Sequence, residues 1–187
     1  MKILVIQGHP DSESFSHANA INYLKHAQEL GHETELIDLS DTDFDPVLRF
    51  GYRQHMEDEI FPKKAQALIK EADHIAFFFP IWWSSEPSIL KGFIDRVLTP
   101  HFGYTYHPNG KTEKLLTGKT AAVFTTSHGP GFFYKMIGNT LFRWKYLVLG
   151  FCGIKAKHCF DLGNMEDKKD TLERRQAYIK KCSDTLK

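Results

Sequence analysis

Three short stretches carry residue types whose spacing could do chemistry. GHPDSESFS at Gly8–Ser16 sets His9 beside the hydroxyls of Ser12, Ser14 and Ser16. PIWWSSEP at Pro80–Pro87 places two adjacent tryptophans between prolines, and TSHGPGFFY at Thr126–Tyr134 combines hydroxyls, His128, glycines and aromatic rings. If the first stretch opens a helix, its free N–H groups and hydroxyls make a cradle for phosphate, because a helix start carries roughly half a positive charge. The plainer role for Ser14 or Ser16 is a helix cap. Trp82 and Trp83 offer a flat π-surface to a planar ring, although core packing or a subunit contact accounts for them equally well. In the third stretch, glycines let backbone N–H groups approach a ligand and stabilise charge on a reduced heterocycle; a simple Gly/Pro turn is the alternative.

The flanking pattern says what must hold these stretches. Ile3–Ile6 is an apolar β-branched run suited to a strand buried on both faces. Ser16–Leu30 has helical apolar spacing and stops at Gly31. Thr34–Leu39 reads as a strand, Lys63–Glu71 as a helix and His74–Phe79 as a third strand. A helix entered through Ser85–Pro87 follows, with Ile89, Leu90, Phe93, Ile94, Val97 and Leu98 on one stripe. Thr120–Thr125 gives a fourth strand, Met136–Leu149 a helix, Lys155–Leu162 a weaker fifth strand and Asp167–Leu186 a final helix. Alternation of this kind predicts an α/β three-layer sandwich, a five-stranded parallel sheet in the flavodoxin-like order 2-1-3-4-5. In such sheets ligands sit at the carboxyl ends of the strands, which selects the three loops above. Two long connections, Ser40–Pro62 and Thr99–Gly118, interrupt the alternation and are lengths that usually carry function or disorder.

A length of 187 residues implies one domain, residues 1–187. The near-balanced charge, +1 overall, leaves no electrostatic footprint for nucleic acid or an anionic membrane. MKILVIQGHP is too short for a signal core and no run approaches a membrane span, so a cytoplasmic protein is expected. Cys152, Cys159 and Cys182 form no CxxC pair and read as reduced, buried thiols. The ten histidines show no metal spacing such as HExxH, and there is neither GxGxxG, GxxxxGK[ST] nor GxSxG.

These stretches resemble the NAD(P)H:quinone oxidoreductase family, the DT-diaphorase-like flavoproteins of flavodoxin fold. The resemblance is carried by HPDSESF at His9–Phe15, FPIWWSSEPSILKGFIDRV at Phe79–Val97, FGYTY at Phe102–Tyr106, TTSHGPGFFY at Thr125–Tyr134 and FCG at Phe151–Gly153. It implies that His9, Ser14, Phe15 and Ser16 hold the phosphate and ribityl part of a flavin. It further implies that Pro80, Ile81, Trp82 and Trp83 contact the isoalloxazine, with Trp83 at the family's tryptophan position. Thr125, Thr126, Ser127 and His128 would follow the ring's polar edge, and Asp95 would lie near the far end of an FAD. Tyr104, Tyr106, Phe132 and Phe133 would wall the substrate pocket, and Tyr134 with His128 would be catalytic.

The resemblance also implies NAD(P)H as electron donor, a quinone-like acceptor, ping-pong two-electron hydride transfer and a homodimer. FAD is favoured over FMN through the FDPVL stretch of the first long connection. Two departures stand out: Ser127 and His128 replace the family's paired glycines, and Thr140 stands where a histidine follows Tyr134 by six residues. The alternatives are a redox-sensing regulatory partner of a transporter and a one-electron flavodoxin-type carrier; near-neutral charge disfavours the carrier.

Overall fold

A computed structural model describes residues 1–130, 132 and 139–186 of the chain. Its strands and helices are β1 (Lys2–Gln7), α1 (Phe15–Glu29), β2 (Glu33–Asp38), α2 (Ile60–Glu71), β3 (His74–Pro80) and α3 (Ser88–Val97). They continue with β4 (Tyr104–Tyr106), β5 (Thr112–Lys114) and β6 (Thr120–Thr126). After a helical segment, α4 (140–152), come β7 (Lys155–Leu162) and α5 (Leu172–Ser183). Five strands form one sheet in the order β2-β1-β3-β6-β7, all pairs parallel, which is the expected 2-1-3-4-5 order. The chain is thus a flavodoxin-like α/β sandwich.

The alternation of side chains along β3 explains the two cores. Ile75, Phe77 and Phe79 point to one face, where Ala65 and Ile69 of α2, Leu90, Phe93 and Val97 of α3, and Trp144 and Leu149 of α4 cover them. Ala76 and Phe78 point to the other, against Ala20, Tyr23 and Ala27 of α1 and Tyr178 and Cys182 of α5. A strand buried on both faces has no place for polar side chains, which is why His74–Phe79 reads as an unbroken apolar run after its first residue.

Several boundaries differ from the sequence expectation. The last helix starts at Leu172 rather than Asp167, because Thr171 caps it by accepting from the Arg174 amide and Asp170 closes a turn by bonding Glu166 N–H at 2.7 Å. In α4 the central stretch Arg143–Leu149 is π-helical. Met136, the expected start of that helix, lies outside the described residues. The connection before β6 contains the antiparallel hairpin β4–β5, and the connection after β2 contains two short 3-10 turns, Leu39–Asp41 and Gly51–Arg53.

The sheet's ladder continues past the carboxyl ends of the strands and positions the loops there. Gly8 N–H donates to Phe78 C=O at 2.8 Å, Ile81 N–H to Thr126 C=O at 2.7 Å and Ser127 N–H to Leu162 C=O at 3.1 Å. Gly8 leaves room for α3: a Cβ there would stand 2.6 Å from Leu90 Cδ2 and would have to displace that buried side chain.

Candidate functional site

The loops after β1, β3 and β6 meet in one cleft of about 360 Å3, within the range of small-molecule sites. Of the residues singled out in the sequence, His9, Ser14, Phe15, Ser16, Pro80, Ile81, Trp82, Thr126, Ser127 and His128 line it.

One end of the cleft is built for an anion. Ser14 is the N-cap of α1, its Oγ accepting from His17 N–H at 3.1 Å, so the capping role is real. The amides of Phe15 and Ser16 open the helix and have no intrahelical acceptor by helix geometry. Upstream, His9 Nδ1 accepts from Asp11 N–H at 2.9 Å and Asp11 Oδ1 from Glu13 N–H at 2.9 Å, fixing the loop locally. Burial holds the His9 imidazole below its ordinary pKa against the opposing pull of Asp11. A guanidinium completes this end: Arg175 of α5 lines the cleft, lies 5.4 Å over the Phe15 ring and is held by Asp170 at 2.9 and 2.6 Å. That pairing keeps the Asp170 carboxyl down at about 2.

An aromatic wall and a polar edge form the rest. Trp82 meets His9 edge-on, with ring centroids 5.2 Å apart, above the buried Ile81. Trp83, by contrast, is fully exposed and is not part of the lining, so the two adjacent tryptophans separate into a wall and a surface residue. On the polar edge, Ser127 Oγ and Thr125 Oγ1 each donate to Asp161 at 2.7 Å. Thr125 therefore faces β7 and not the cleft. Burial raises the Asp161 carboxyl above its ordinary pKa despite these two bonds.

Other predicted residues lie elsewhere. Asp95 is on α3, paired with Lys91 at 2.6 Å, and its carbonyl accepts from Tyr52 at 3.1 Å beside a second cleft of similar volume. That second cleft is lined by Tyr52, Arg53, His55, Lys63, Arg96 and His101 among others, and it gathers none of the predicted residues. Tyr104 and Tyr106 pack edge-on at 5.3 Å on the β4–β5 hairpin and line neither cleft. Phe132 is exposed; Phe133 and Tyr134 lie outside the described residues. No cluster able to hold a metal ion occurs among the described residues, and no helix there is long and apolar enough to cross a membrane.

Sequence reasoning missed Asp11, Met165, Glu166 and Arg175 in the lining, and Asp161 beneath it. The β7–α5 loop enters because Asn164 N–H donates to Gly129 C=O at 2.9 Å and Met165 N–H to Ser127 C=O at 3.0 Å. Its only signal in sequence was its place after the fifth strand.

The donor set fits a phosphorylated planar heterocycle: amides and a guanidinium at one end, an indole wall, then hydroxyls and an imidazole. Residues 1–186 match the family described as Flavodoxin-like fold. An "Uncharacterized NAD(P)H oxidoreductase" of Haemophilus influenzae is 34% identical over 162 residues, covering 83% of this chain and 80% of that protein. The ribosyldihydronicotinamide dehydrogenase (quinone) of Mus musculus is 28% identical over 184 residues, covering 83% and 78%. The crystal structure of Smu.1420 from Streptococcus mutans UA159 aligns with a TM-score of 0.83 at 34% identity, over 100% of this chain and 98% of that one.

Proposed function

The chain belongs to the Flavodoxin-like-fold family, and from that premise we propose that it is a single-domain, cytoplasmic, flavin-dependent NAD(P)H oxidoreductase that reduces quinone-like acceptors. What supports the reading is the convergence of an anion-binding helix start, an indole wall and a hydroxyl-rich edge in one cleft at the carboxyl ends of β1, β3 and β6. The names of the relatives point the same way.

In this reading the amides of Phe15 and Ser16 and the Arg175 guanidinium hold the cofactor's phosphate. Trp82, Pro80 and Ile81 orient the ring by covering one face. Thr126, Ser127 and His128 present polar groups to its other edge, where charge develops on reduction. A flavin held by these residues would supply two-electron hydride chemistry between the nicotinamide donor and the quinone-like acceptor, in the proposed ping-pong order. Tyr134 and His128 are the residues to which the reading assigns stabilisation of the reduced state. FAD is the preferred cofactor, with FMN the alternative; the preference rests on the FDPVL stretch, where Pro46 packs against Gly92 of α3 and Arg96 donates to Asp45 C=O beside Asp95.

The active form is proposed to be a homodimer. Phe142, Tyr146 and Leu147 form an exposed apolar face on α4, Trp83 is exposed beside the cleft wall, and a second copy would cover such a surface. Tyr104, Tyr106 and Phe132 would then wall an acceptor pocket completed by the second copy.

Anaerobic stopped-flow tests the function. Flavin-loaded protein mixed with NADH or NADPH should lose its yellow absorption in a single-turnover phase and regain it when a quinone is added. Absence of bleaching with both nucleotides contradicts the reading.

A further inference from the structure

The turn that carries the indole wall is strained, and beyond its own local bonds, which include Ser85 Oγ donating to Glu86 Oε2 at 3.2 Å, it is restrained from one distant element. Trp82 and Ser85 exchange reciprocal backbone hydrogen bonds, both 2.9 Å, around the two-residue tip Trp83–Ser84. Both tip residues have positive φ, 49° and 59°. A tip of this kind favours Asn and Gly, since a left-handed backbone is costly to a residue with a Cβ, and for tryptophan it is exceptional. Such a conformation persists only when its surroundings over-determine it.

The surroundings that do so are the start of α4. Thr140 Oγ1 donates to Ser84 C=O at 2.8 Å, and Arg143 reaches Ser85 Oγ at 3.3 Å. Arg143 also forms an ion pair with Glu86 Oε2, which accepts in addition from Trp144 Nε1 at 3.0 Å. The Glu86 side chain is wholly buried, and its Oε1 has no partner among the described groups. Trp144 in turn packs on Phe77 and Phe79 of β3, at 4.9 and 4.7 Å between ring centroids. A buried, half-satisfied carboxylate is a poor way to stabilise a fold, because hydrophobic replacement of such pairs is often neutral or better. It is a good way to fix the exit of a strained turn at one point.

We propose that Glu86, gripped by Arg143 and Trp144, is a positioning residue of the cleft: it sets the Trp82–Ser85 turn so that Trp82 presents its ring as the wall against the cofactor. The proposal rests on the flavin reading of that cleft. Glu86 and Arg143 are not among the residues that line the cleft; they act through the turn.

Three variants test it, each measured for flavin affinity by fluorescence titration and for hydrogen exchange at the Trp82 and Ser85 amides. Arg143→Met removes the ion pair from its more exposed end, Glu86→Gln keeps the shape of the buried acid, and Arg143→Lys restores the charge. The expected result is faster exchange at the two turn amides and about tenfold weaker flavin binding in the first two, with Arg143→Lys recovering both to within about twofold. A lowered melting temperature with exchange and affinity unchanged in Arg143→Met overturns the proposal and leaves the clamp merely structural. A wild-type protein that takes up no flavin overturns the functional reading instead, while the exchange measurement still decides whether the clamp sets the turn.

Discussion

The β1–α1 loop and the Trp82–Glu86 turn face each other across the same cleft and are held in opposite ways. In the first, the side-chain bonds that shape the loop's backbone are local, Asp11 amide to His9, Glu13 amide to Asp11 and His17 amide to Ser14, with Phe78, Trp82 and Arg175 touching it from outside. In the second, one side-chain bond is local, Ser85 Oγ donating to Glu86 Oε2 at 3.2 Å, and the others come from Thr140, Arg143 and Trp144, more than fifty residues along the chain. A locally closed loop is encoded by its own serines and aspartates, whereas a remotely clamped one is only as good as the packing that brings the clamp to it. The second kind fails with the fold around α4.

The largest effect that follows is on stability. Arg143→Ala should cost on the order of 2 kcal/mol, below the roughly 3–5 kcal/mol for breaking a fully buried pair, because the Arg143 side chain is 31% exposed. Urea unfolding of the variant measures it, and a loss smaller than that of a local cap mutation would reverse the contrast between the two regions.

A second effect separates the carboxyl end of the sheet from its other end. His74 opens β3, hydrogen-bonded to Thr120 at 2.8 Å and near Tyr23 at 3.3 Å, and burial lowers its pKa from 6.5 to about 4. Between those values the unfolded chain binds the proton that the folded chain refuses. His74's contribution to stability is therefore full above pH 6.5 and is lost as the pH falls toward 4. By about pH 5.5 the loss should be on the order of 1 kcal/mol. Thermal unfolding across this range should show the slope, and His74→Asn should remove its share.

Ser14→Ala should cost about 1 kcal/mol, the usual worth of a helix cap. Because the restraint is local, hydrogen exchange at Trp82 and Ser85 should stay unchanged, and a change there would tie the two regions together. The smallest effect is a gain: Ser84→Gly should raise stability by a few tenths of a kcal/mol, relief of the positive φ exceeding the added chain entropy. A destabilised Ser84→Gly would deny that the turn is strained.

The same contrast explains what could be read in the sequence. The sheet order followed from five strands alternating with helices, the central ones marked as buried by their apolar runs, and Ser14 at the head of α1 is visible in its neighbours. Trp82 and Trp83 could not be told apart, because their separation depends on the left-handed tip at Trp83 and Ser84, a conformation that neither residue type announces. Glu86 looked like part of a helix entry beside Pro87, yet it is a buried anchor. Thr140, noted for replacing a histidine, bonds the turn instead. Arg175 and Asp161 escaped notice because each reaches the site from an element whose own periodicity explains it: Arg175 across from α5 over the Phe15 ring, Asp161 from the edge strand to Ser127.

The central claim is that the cleft between these two regions holds a flavin, and the most direct test is equilibrium titration. Protein freed of any bound cofactor should quench the fluorescence of added FAD or FMN to saturation at one flavin per chain, with affinity reduced in Trp82→Ala and Arg175→Ala while both remain folded. Flavin fluorescence that does not respond to excess protein, or an affinity indifferent to both substitutions, would contradict the account.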